Sequence, residues 1–548
     1  MTEPRIHSIR LAGLLAVSAA LGAAALLSAA GGPAGAGEPF RFVDATTAWG
    51  LAEPLRGIKA HAMACGDVNG DGDPDVYIGT FCDDSAEVYV GRSGPVPNML
   101  LIQEDGKYVL AAHPRPMIDR RTSGAVFADL DNDGDLDLYV SLNSKRAEST
   151  QGKNRLYENV GGRFRDVSAG NAASLVMGGR SVGVFDYDGD RLLDLLVLED
   201  YWQGGHTRLF RNRGNLRFED VTEAAGLRKE IEPGRGLPGL GVVTPDFNRD
   251  GRPDLFISQP NLLFLATGNG GFRQVDSTVF ASPLNVRGGE YICGVACRDL
   301  DNDADLDIVT VEHRAGASMH LYVNEGLRGG VPRFREVTRE AGLGFEFPPH
   351  TPEGLYLRQD HVEIADFDND GRPDLLLAAT YDDKGRRRPF ICRNLGGRDA
   401  DLRFAAPPAA KADAHFPAGP VADYDRDGRL DVFLASWFPQ IPSALLLNRT
   451  AADHHWLQVK VQGKTVNRMG IGSKISVYEA GKLGRRSALL GYQEIDVSQG
   501  FCSGHEAVAH FGLGDASQCD VEVVLPFGKG RIVERAVAAD QLLLLEQR

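Results

Sequence analysis

Short apolar runs broken by acidic turns set the rhythm of this chain. Around residue 130 the order is GAVFADLDNDGDLDLYV, an apolar run, a polar stretch and a second apolar run. The flanking residues are β-branched, aromatic or aliphatic, which predicts two strands and not a helix. Between them, Asp129, Asp131, Asp133, Asp135 and Asp137 occupy alternate positions, with Gly134 at the sixth place of nine. The pattern reads as a hairpin whose turn concentrates negative charge.

The same nine-residue turn recurs as DVNGDGDPD from Asp67, DYDGDRLLD from Asp186 and DFNRDGRPD from Asp246. It returns as DLDNDADLD from Asp299, DFDNDGRPD from Asp366 and DYDRDGRLD from Asp423. Seven copies begin 62, 57, 60, 53, 67 and 57 residues apart, and fixed-period self-similarity marks a repeat architecture. A second repeat runs out of phase with the first: KYVLA at 107, FRDVS at 164, FEDVT at 218, FRQVD at 272, FREVT at 334 and RFAAP at 403. The seventh loop has no such follower, but FRFVDAT at 40 to 46 supplies one from the other end of the chain. The expectation is an all-β fold: a seven-bladed β-propeller, closed by its N-terminal strand, and a small C-terminal β domain.

A hard cation is what lets such carboxylates share a turn. Calcium takes six to eight oxygen ligands, and a glycine serves the sharp bend. The EF-hand pattern fails here, because its twelfth position is Val140 and not glutamate. Positions one, three, five and nine are assigned as side-chain ligands, with a backbone carbonyl near position seven. The seven sets are Asp67, Asn69, Asp71 and Asp75; Asp129, Asp131, Asp133 and Asp137; Asp186, Asp188, Asp190 and Asp194; and Asp246, Asn248, Asp250 and Asp254. They continue with Asp299, Asp301, Asp303 and Asp307; Asp366, Asp368, Asp370 and Asp374; and Asp423, Asp425, Asp427 and Asp431. Two loops lack glycine at position six, where Arg191 and Ala304 stand, and Gly189 reads as displaced to position four. Their sites, at Asp186 and Asp299, are expected to be the weakest or to need a distorted turn.

The loops and intervening strands resemble the FG-GAP/VCBS repeats of integrin-α-type propellers. HHWLQVKVQG at 454, NRMGIGSKISV at 467 and VAHFGLG at 508 are similar to the ASPIC/UnbV domain. The pairing resembles the bacterial relatives of cartilage acidic protein. It implies a propeller over 38–450 and an ASPIC/UnbV-like domain over 453–548. One departure is LPFG at 525 to 528, where that family usually has W-P-x-G.

Composition adds location. Residues 1–36 place Arg5 and Arg10 ahead of LAGLLAVSAALGAAALLSAA and end on AGA, which reads as a cleavable signal peptide. A secreted, periplasmic or extracellular protein with no membrane span after cleavage is expected. The net charge is −16, and 29 of the 75 acidic residues fall in the seven loops, so a large share of the acidity is metal-binding capacity. No basic cluster points to nucleic acid. Seven cysteines in an exported chain suggest some disulfides and a leftover thiol. Cys65 and Cys82 could meet across a hairpin, Cys502 and Cys519 are the natural pair, and the alternative is that all are reduced and buried as small hydrophobes. Cys293 and Cys297 share a strand and cannot bond each other.

No HExxH, GxSxG or phosphate loop is present. His505 and His510 near Cys502 invite a nucleophile reading, but strand-borne histidines are the plainer one; His454 and His455 sit at the domain junction. The expectation is therefore no enzyme. It is an exported calcium-binding recognition or adhesion protein, whose partner is an extracellular protein or glycan. Contact segments would be YWQGGHTR at 201 and SWFPQIPS at 436, through Trp202 and Trp437. The alternative is a calcium-dependent polysaccharide-degrading enzyme on a propeller scaffold.

Overall fold

A computed structural model describes residues 40 to 548 apart from 83, 112–119, 144–151, 230–233, 277–278, 281–290, 314–315, 317–318, 348–358, 382–386, 397–401, 408–410, 413–415, 417 and 452–453. The signal-peptide reading of residues 1–36 lies outside the described residues. Among the described residues no helix is long and apolar enough to cross a membrane.

Each repeat makes one antiparallel sheet. In the second, Thr122–Ala128 is innermost and is followed outward by Asp137–Leu142, Arg155–Val160 and Arg163–Asp166. The first two strands are buried at every residue, whereas the outermost buries only Phe164. That gradient explains the sequence pattern. Strands covered on both faces read as unbroken apolar runs, and a rim strand alternates.

Seven such sheets follow one another among the described residues. Their innermost strands are Ala60–Gly66, Thr122–Ala128, Gly179–Phe185, Val242–Val243, Tyr291–Arg298, Glu363–Ala365 and Val421–Ala422. Consecutive sheets pack through apolar side chains, as Val309 of the fifth does with Ile364 and Leu375 of the sixth. Phe433 and Leu445 of the seventh share a core with Met63 and Val76 of the first, so the series returns to its start as a propeller-like ring. Phe42–Asp44 pairs with Ala444–Asn448 and is the outermost strand of the seventh sheet.

The C-terminal residues form two more sheets. One orders Ala509–Gly514, His455–Gln462 and Gln541–Glu546; the other orders Leu489–Glu494, Lys474–Glu479, Gln518–Val524 and Arg531–Ala538. Their core is not separate. Val459, Ile475, Phe511 and Val521 join Val126, Val182 and Leu195 of the second and third sheets in one buried cluster.

From this domain one segment, 495–506, runs into the ring. Ser503–Gly504 pairs in parallel with Met63 and Ala64 of the first innermost strand. Gly504 lies so close to the second sheet that a Cβ on it would be 2.9 Å from the Ala125 carbonyl. Cys502 N–H donates to Ser181 Oγ at 2.8 Å in the third sheet, and the Gly500 carbonyl abuts Gly241 beside the fourth. Gly500 exchanges both backbone hydrogen bonds with Val295 of the fifth, at 2.8 and 3.2 Å. His505 Nε2 is 2.9 Å from Glu363 of the sixth, and Gly419 N–H beside the seventh donates to Ser503 Oγ at 3.3 Å. A single strand that touches the innermost strand region of all seven sheets lies on the ring axis. The segment is a plug.

The plug also corrects the cysteine pairing. The cysteines form no disulfide with one another. Cys502 is held in the plug and Cys519 sits in the Gln518–Val524 strand, buried in a different core. Cys65 belongs to the innermost strand of the first sheet, while Cys82 Sγ donates to the Arg120 carbonyl at 3.4 Å.

Candidate metal centre

Position one of each loop follows the innermost strand and caps the turn. Asp246 Oδ1 accepts the N–H of Asp250 at 2.9 Å and Oδ2 that of Gly251 at 2.6 Å; Asp299, Asp366 and Asp423 repeat the arrangement. Position nine opens the second strand and is essentially inaccessible to solvent in every copy. Asp374 Oδ2 accepts the N–H of Phe367 and Oδ1 that of Asn394 on the third strand. The same two bonds recur at Asp75, Asp137, Asp194, Asp307 and Asp431, and at Asp254 the position-three N–H of Asn248 replaces that of position two. With or without an ion, this carboxylate ties together three parts of its own sheet.

The backbone explains the turn residues. Position six has φ of 95° at Gly72, 110° at Gly134, 80° at Arg191, 88° at Gly251, 68° at Ala304 and 84° at both Gly371 and Gly428. The turn at Arg191 and Ala304 is therefore undistorted; those residues take the left-handed conformation that costs a β-carbon about 1 to 2 kcal/mol. Position four is left-handed as well: Gly70, Asn132, Gly189, Arg249, Asn302, Asn369 and Arg426. Gly189 is not displaced. It fills a second left-handed position that every loop has.

Position four also joins one loop to the next. Where it carries a side chain, that side chain donates to the position-six carbonyl of the following loop: Asn132 to Arg191, Arg249 to Ala304, Asn302 to Gly371 and Asn369 to Gly428. Arg426 of the last loop reaches Gly72 of the first. A deeper row of amides does the same work. Asn159, Asn212, Asn394 and Asn448 each bridge their own loop to the position-two carbonyl of the preceding one, and Gln103 Nε2 closes the circle on the Tyr424 carbonyl at 3.1 Å. In the fourth sheet the corresponding residue is Ala266, which has no amide to offer.

The C-terminal domain lies over this row of loops. Arg468 reaches Asp129 at 3.7 Å and its backbone N–H donates to Asn132 at 2.8 Å. Lys474 Nζ pairs with Asp246, and Phe527 N–H donates to the Gly251 carbonyl at 2.7 Å. Gln458 donates to Asp423 at 3.0 Å, and His510 Nε2 is 2.8 Å from Asn369 Oδ1. His454 Nδ1 is 2.9 Å from the Asp368 carbonyl, and His455 pairs with Asp540 at 2.7 Å. Below them Glu363 joins two imidazoles, His361 and His505, each at 2.9 Å. Burial alone would raise Glu363, but the two histidines outweigh it and hold the carboxyl at about 2; Glu363 in turn raises His505 against burial.

The loops suit a hard cation on their donor chemistry. Carboxylate oxygens of Asp129, Asp131 and Asp133, of Asp186, Asp188 and Asp194, and of Asp366, Asp368 and Asp374 lie within 4.8 Å of one another. Asp129 Oδ1, Asp188 Oδ1, Asp368 Oδ1 and Asp425 Oδ1 are buried without a hydrogen-bond donor, and a buried anionic oxygen left so is costly. Burial first, and then neighbouring carboxylates, push Asp129 up to about 7; burial dominates in raising Asp137 to about 8. A divalent ion would supply the missing charge, held by positions one and three together with position five in the second loop and position nine in the third and sixth.

Sequence reasoning placed these aspartates in seven turns; what it missed is the roof and the plug. The signal was present in QGFCSGH, residues 499 to 505, whose small and hydrogen-bonding side chains suit close approach to strands on all sides. Similarity to known proteins divides the chain in the same way. Residues 67–140, 186–257, 246–310 and 366–434 match the FG-GAP-like repeat, and residues 463–548 match ASPIC and UnbV. The chain carries FG-GAP-like repeats and a C-terminal ASPIC and UnbV domain. It is 26% identical to cartilage acidic protein 1 of Xenopus tropicalis over 508 residues, 88% of this chain and 72% of that protein. The Homo sapiens protein of that name is 25% identical over 88% of this chain and 71% of its own.

Solved structures give looser likenesses of fold. An Agrocybe aegerita lectin that recognises non-reducing terminal N-acetylglucosamine covers 73% of this chain and 87% of its own, at 15% identity and a TM-score of 0.40. The V. cholerae biofilm matrix protein Bap1 covers 89% and 68%, at 13% identity and a TM-score of 0.32.

Proposed function

We propose that this chain is an exported, calcium-binding recognition protein: calcium and the C-terminal domain together stiffen the ring, and the face opposite the loops binds a protein or glycan. The observation that carries the calcium is the set of donorless buried oxygens on Asp129, Asp188, Asp368 and Asp425. At about 1 mM calcium and a Kd of roughly 10⁻⁴ M, each filled loop adds about 1.4 kcal/mol. Six or seven add on the order of 10 kcal/mol, comparable with the stability of a whole domain, so the ions are structural.

Binding, and not catalysis, is the reading that suits the two faces. The loop face lies under the C-terminal domain, and segment 495–506 fills the axis. On the other face Trp202 is 39% exposed, Lys59 lies over the Trp437 ring at 4.2 Å and Arg235 over Tyr201 at 4.1 Å. Trp437 is half-buried and packed edge-on against both Phe81 at 5.1 Å and His61 at 5.4 Å. Trp202 is exposed and, among the described residues, its ring meets that of Tyr201 alone, which leaves Trp202 as the better stacking platform.

The test is calcium content and thermal unfolding of the purified chain in about 1 mM calcium and then in excess chelator. Several bound ions and a melting temperature lower by tens of degrees after chelation are expected. A chain with no calcium and an unchanged melt refutes the proposal. Retention on a glycan or envelope-protein matrix should fall for Trp202→Ala without a change in melting; shortened oligosaccharides would favour the polysaccharide-degrading alternative.

A further inference from the structure

The seven loops are not equivalent in what already neutralises them, and the fourth stands apart. In it, as in the first loop, every oxygen at the ligand positions has a donor, and among the described residues the fourth alone adds a lysine from the C-terminal domain. Asp246 accepts from Asp250 N–H and Gly251 N–H, Asn248 Oδ1 from Asp250 N–H, and Asp254 from Asn248 N–H and Ala266 N–H. Asp250 accepts from Arg252 N–H, from the Asn248 amide at 3.0 Å and from the Arg252 guanidinium at 2.6 Å. Position three, a carboxylate in five of the other six loops, is the neutral Asn248, and its amide is turned onto Asp250.

Onto this loop the C-terminal domain lowers a cation. Lys474 opens the strand Lys474–Glu479, where it pairs in register with Glu494, and its ammonium meets Asp246 Oδ2. Glu494 itself accepts the Asp246 backbone N–H at 3.0 Å. The Lys474 side chain is 14% exposed and that of Asp246 is 3% exposed, so the pair is shielded from competing water.

Other cations near the loops act differently. Arg211, Arg393 and Arg449 pair with Oδ2 of Asp188, Asp368 and Asp425 at position three, and leave Oδ1 of each without a donor. Arg468 is 43% exposed, stands 3.7 Å from Asp129 and leaves Asp129 Oδ1 donorless too. Only at the fourth loop, among the described residues, does a protein cation take a position-one carboxylate while no loop oxygen is left over. The first loop also has asparagine at position three, Asn69, but among the described residues no cation of the C-terminal domain pairs with Asp67.

We infer that Lys474 is the resident cation of the fourth loop: its ammonium holds Asp246 in place of calcium, so that this site stays metal-free at calcium concentrations that fill its neighbours. The inference rests on the calcium reading of the other loops. A calcium ion at Asp246 would share a carboxylate with the ammonium, and like charges at that spacing repel strongly where water is excluded. The purpose is docking. The C-terminal domain is fixed to the ring through a bond that does not depend on the metal.

The test is calcium stoichiometry by equilibrium dialysis on the full purified chain, as wild type, Lys474→Gln, Asp250→Asn, Asp133→Asn and Lys474→Gln/Asp250→Asn. Lys474→Gln should bind one ion more than wild type, and adding Asp250→Asn should remove it. Asp250→Asn alone should leave the wild-type count unchanged, whereas Asp133→Asn, at the same position of the second loop, should lower it by one. A loss of one ion on Asp250→Asn alone overturns this inference and leaves the calcium reading standing. No calcium in any variant overturns both. Should Lys474→Gln fail to fold, the contrast between Asp250→Asn and Asp133→Asn decides by itself.

Discussion

The ring loops and the axial plug solve the same problem, unsatisfied polar groups crowded into a small space, by opposite means. Each loop uses one solution seven times: position one caps the turn, position nine ties three parts of its sheet together, and position four or a third-strand amide grips a neighbour. The plug is used once and repeats nothing. Its Gln499, Gly500, Cys502, Ser503, Gly504 and His505 meet seven different sheets, each through contacts of its own. Repetition tolerates loss of one member, because six others remain. A unique segment on the axis has no such reserve, and damage there should cost more than damage in any single loop.

The largest effect should come from filling the space between roof and ring at Gly512. A Cβ at Gly512 would stand 2.0 Å from Asp366 Oδ2 and 2.5 Å from the Asn369 backbone, neither of which can yield. Gly512→Val should cost about 4 kcal/mol or more, and limited proteolysis should then release C-terminal fragments that the parent chain withholds. Protection equal to the parent would show that the roof does not depend on this contact.

Next in size is the ion-paired anchor of the plug. Because Glu363 is held at about 2 in the fold, it contributes stability above its unfolded value near 4.3, and that stability is lost as pH falls toward 2. His505 is raised, so its share is present below about 6.5 and is lost as pH rises through its folded value. Stability from the pair, on the order of 3 kcal/mol, should peak between about pH 5 and 6.5. Urea midpoints of Glu363→Gln measured from pH 3 to 8 should flatten on both limbs; a profile parallel to the parent's would remove the anchor from the account.

Within the ring the effects should be smaller. Asn448→Ala strips donors from the Phe367 and Leu430 carbonyls at 2.8 and 3.1 Å and should cost about 2 kcal/mol in urea unfolding. The natural Ala266 marks the same loss already tolerated in the fourth sheet, so a cost near zero would mean that the amide row is dispensable throughout. Smallest, and of opposite sign, is Ala304→Gly. At φ 68° the change relieves a left-handed alanine and should raise stability by about 1 kcal/mol or less, read as a rise of a degree or two in melting temperature. A loss instead would show that the chain-entropy cost of glycine outweighs the strain.

Much of the ring was legible because its information is local and repeated. The spacing of Asp129 to Asp137 fixes a turn, the apolar runs on either side fix two buried strands, and seven copies exclude chance. Even the left-handed position four was written in the sequence, as Gly70, Asn132, Gly189, Arg249, Asn302, Asn369 and Arg426, a set that only the backbone made intelligible. The cysteines misled, because nearness along the chain between Cys502 and Cys519 carries no weight once a segment leaves its domain to enter another.

The sequence by itself determined the strands, the turns and the carboxylates, since these depend on side-chain period and on neighbours within nine residues. Tertiary structure alone decided that the C-terminal domain roofs the loops, that residues 495 to 506 fill the axis, and that Lys474 rather than some nearer residue meets Asp246. Those contacts join positions 228 or more residues apart for Lys474 and 440 for Ser503 with Met63. No periodicity spans such distances; only packing that buries apolar surface and pairs every stranded polar group selects them.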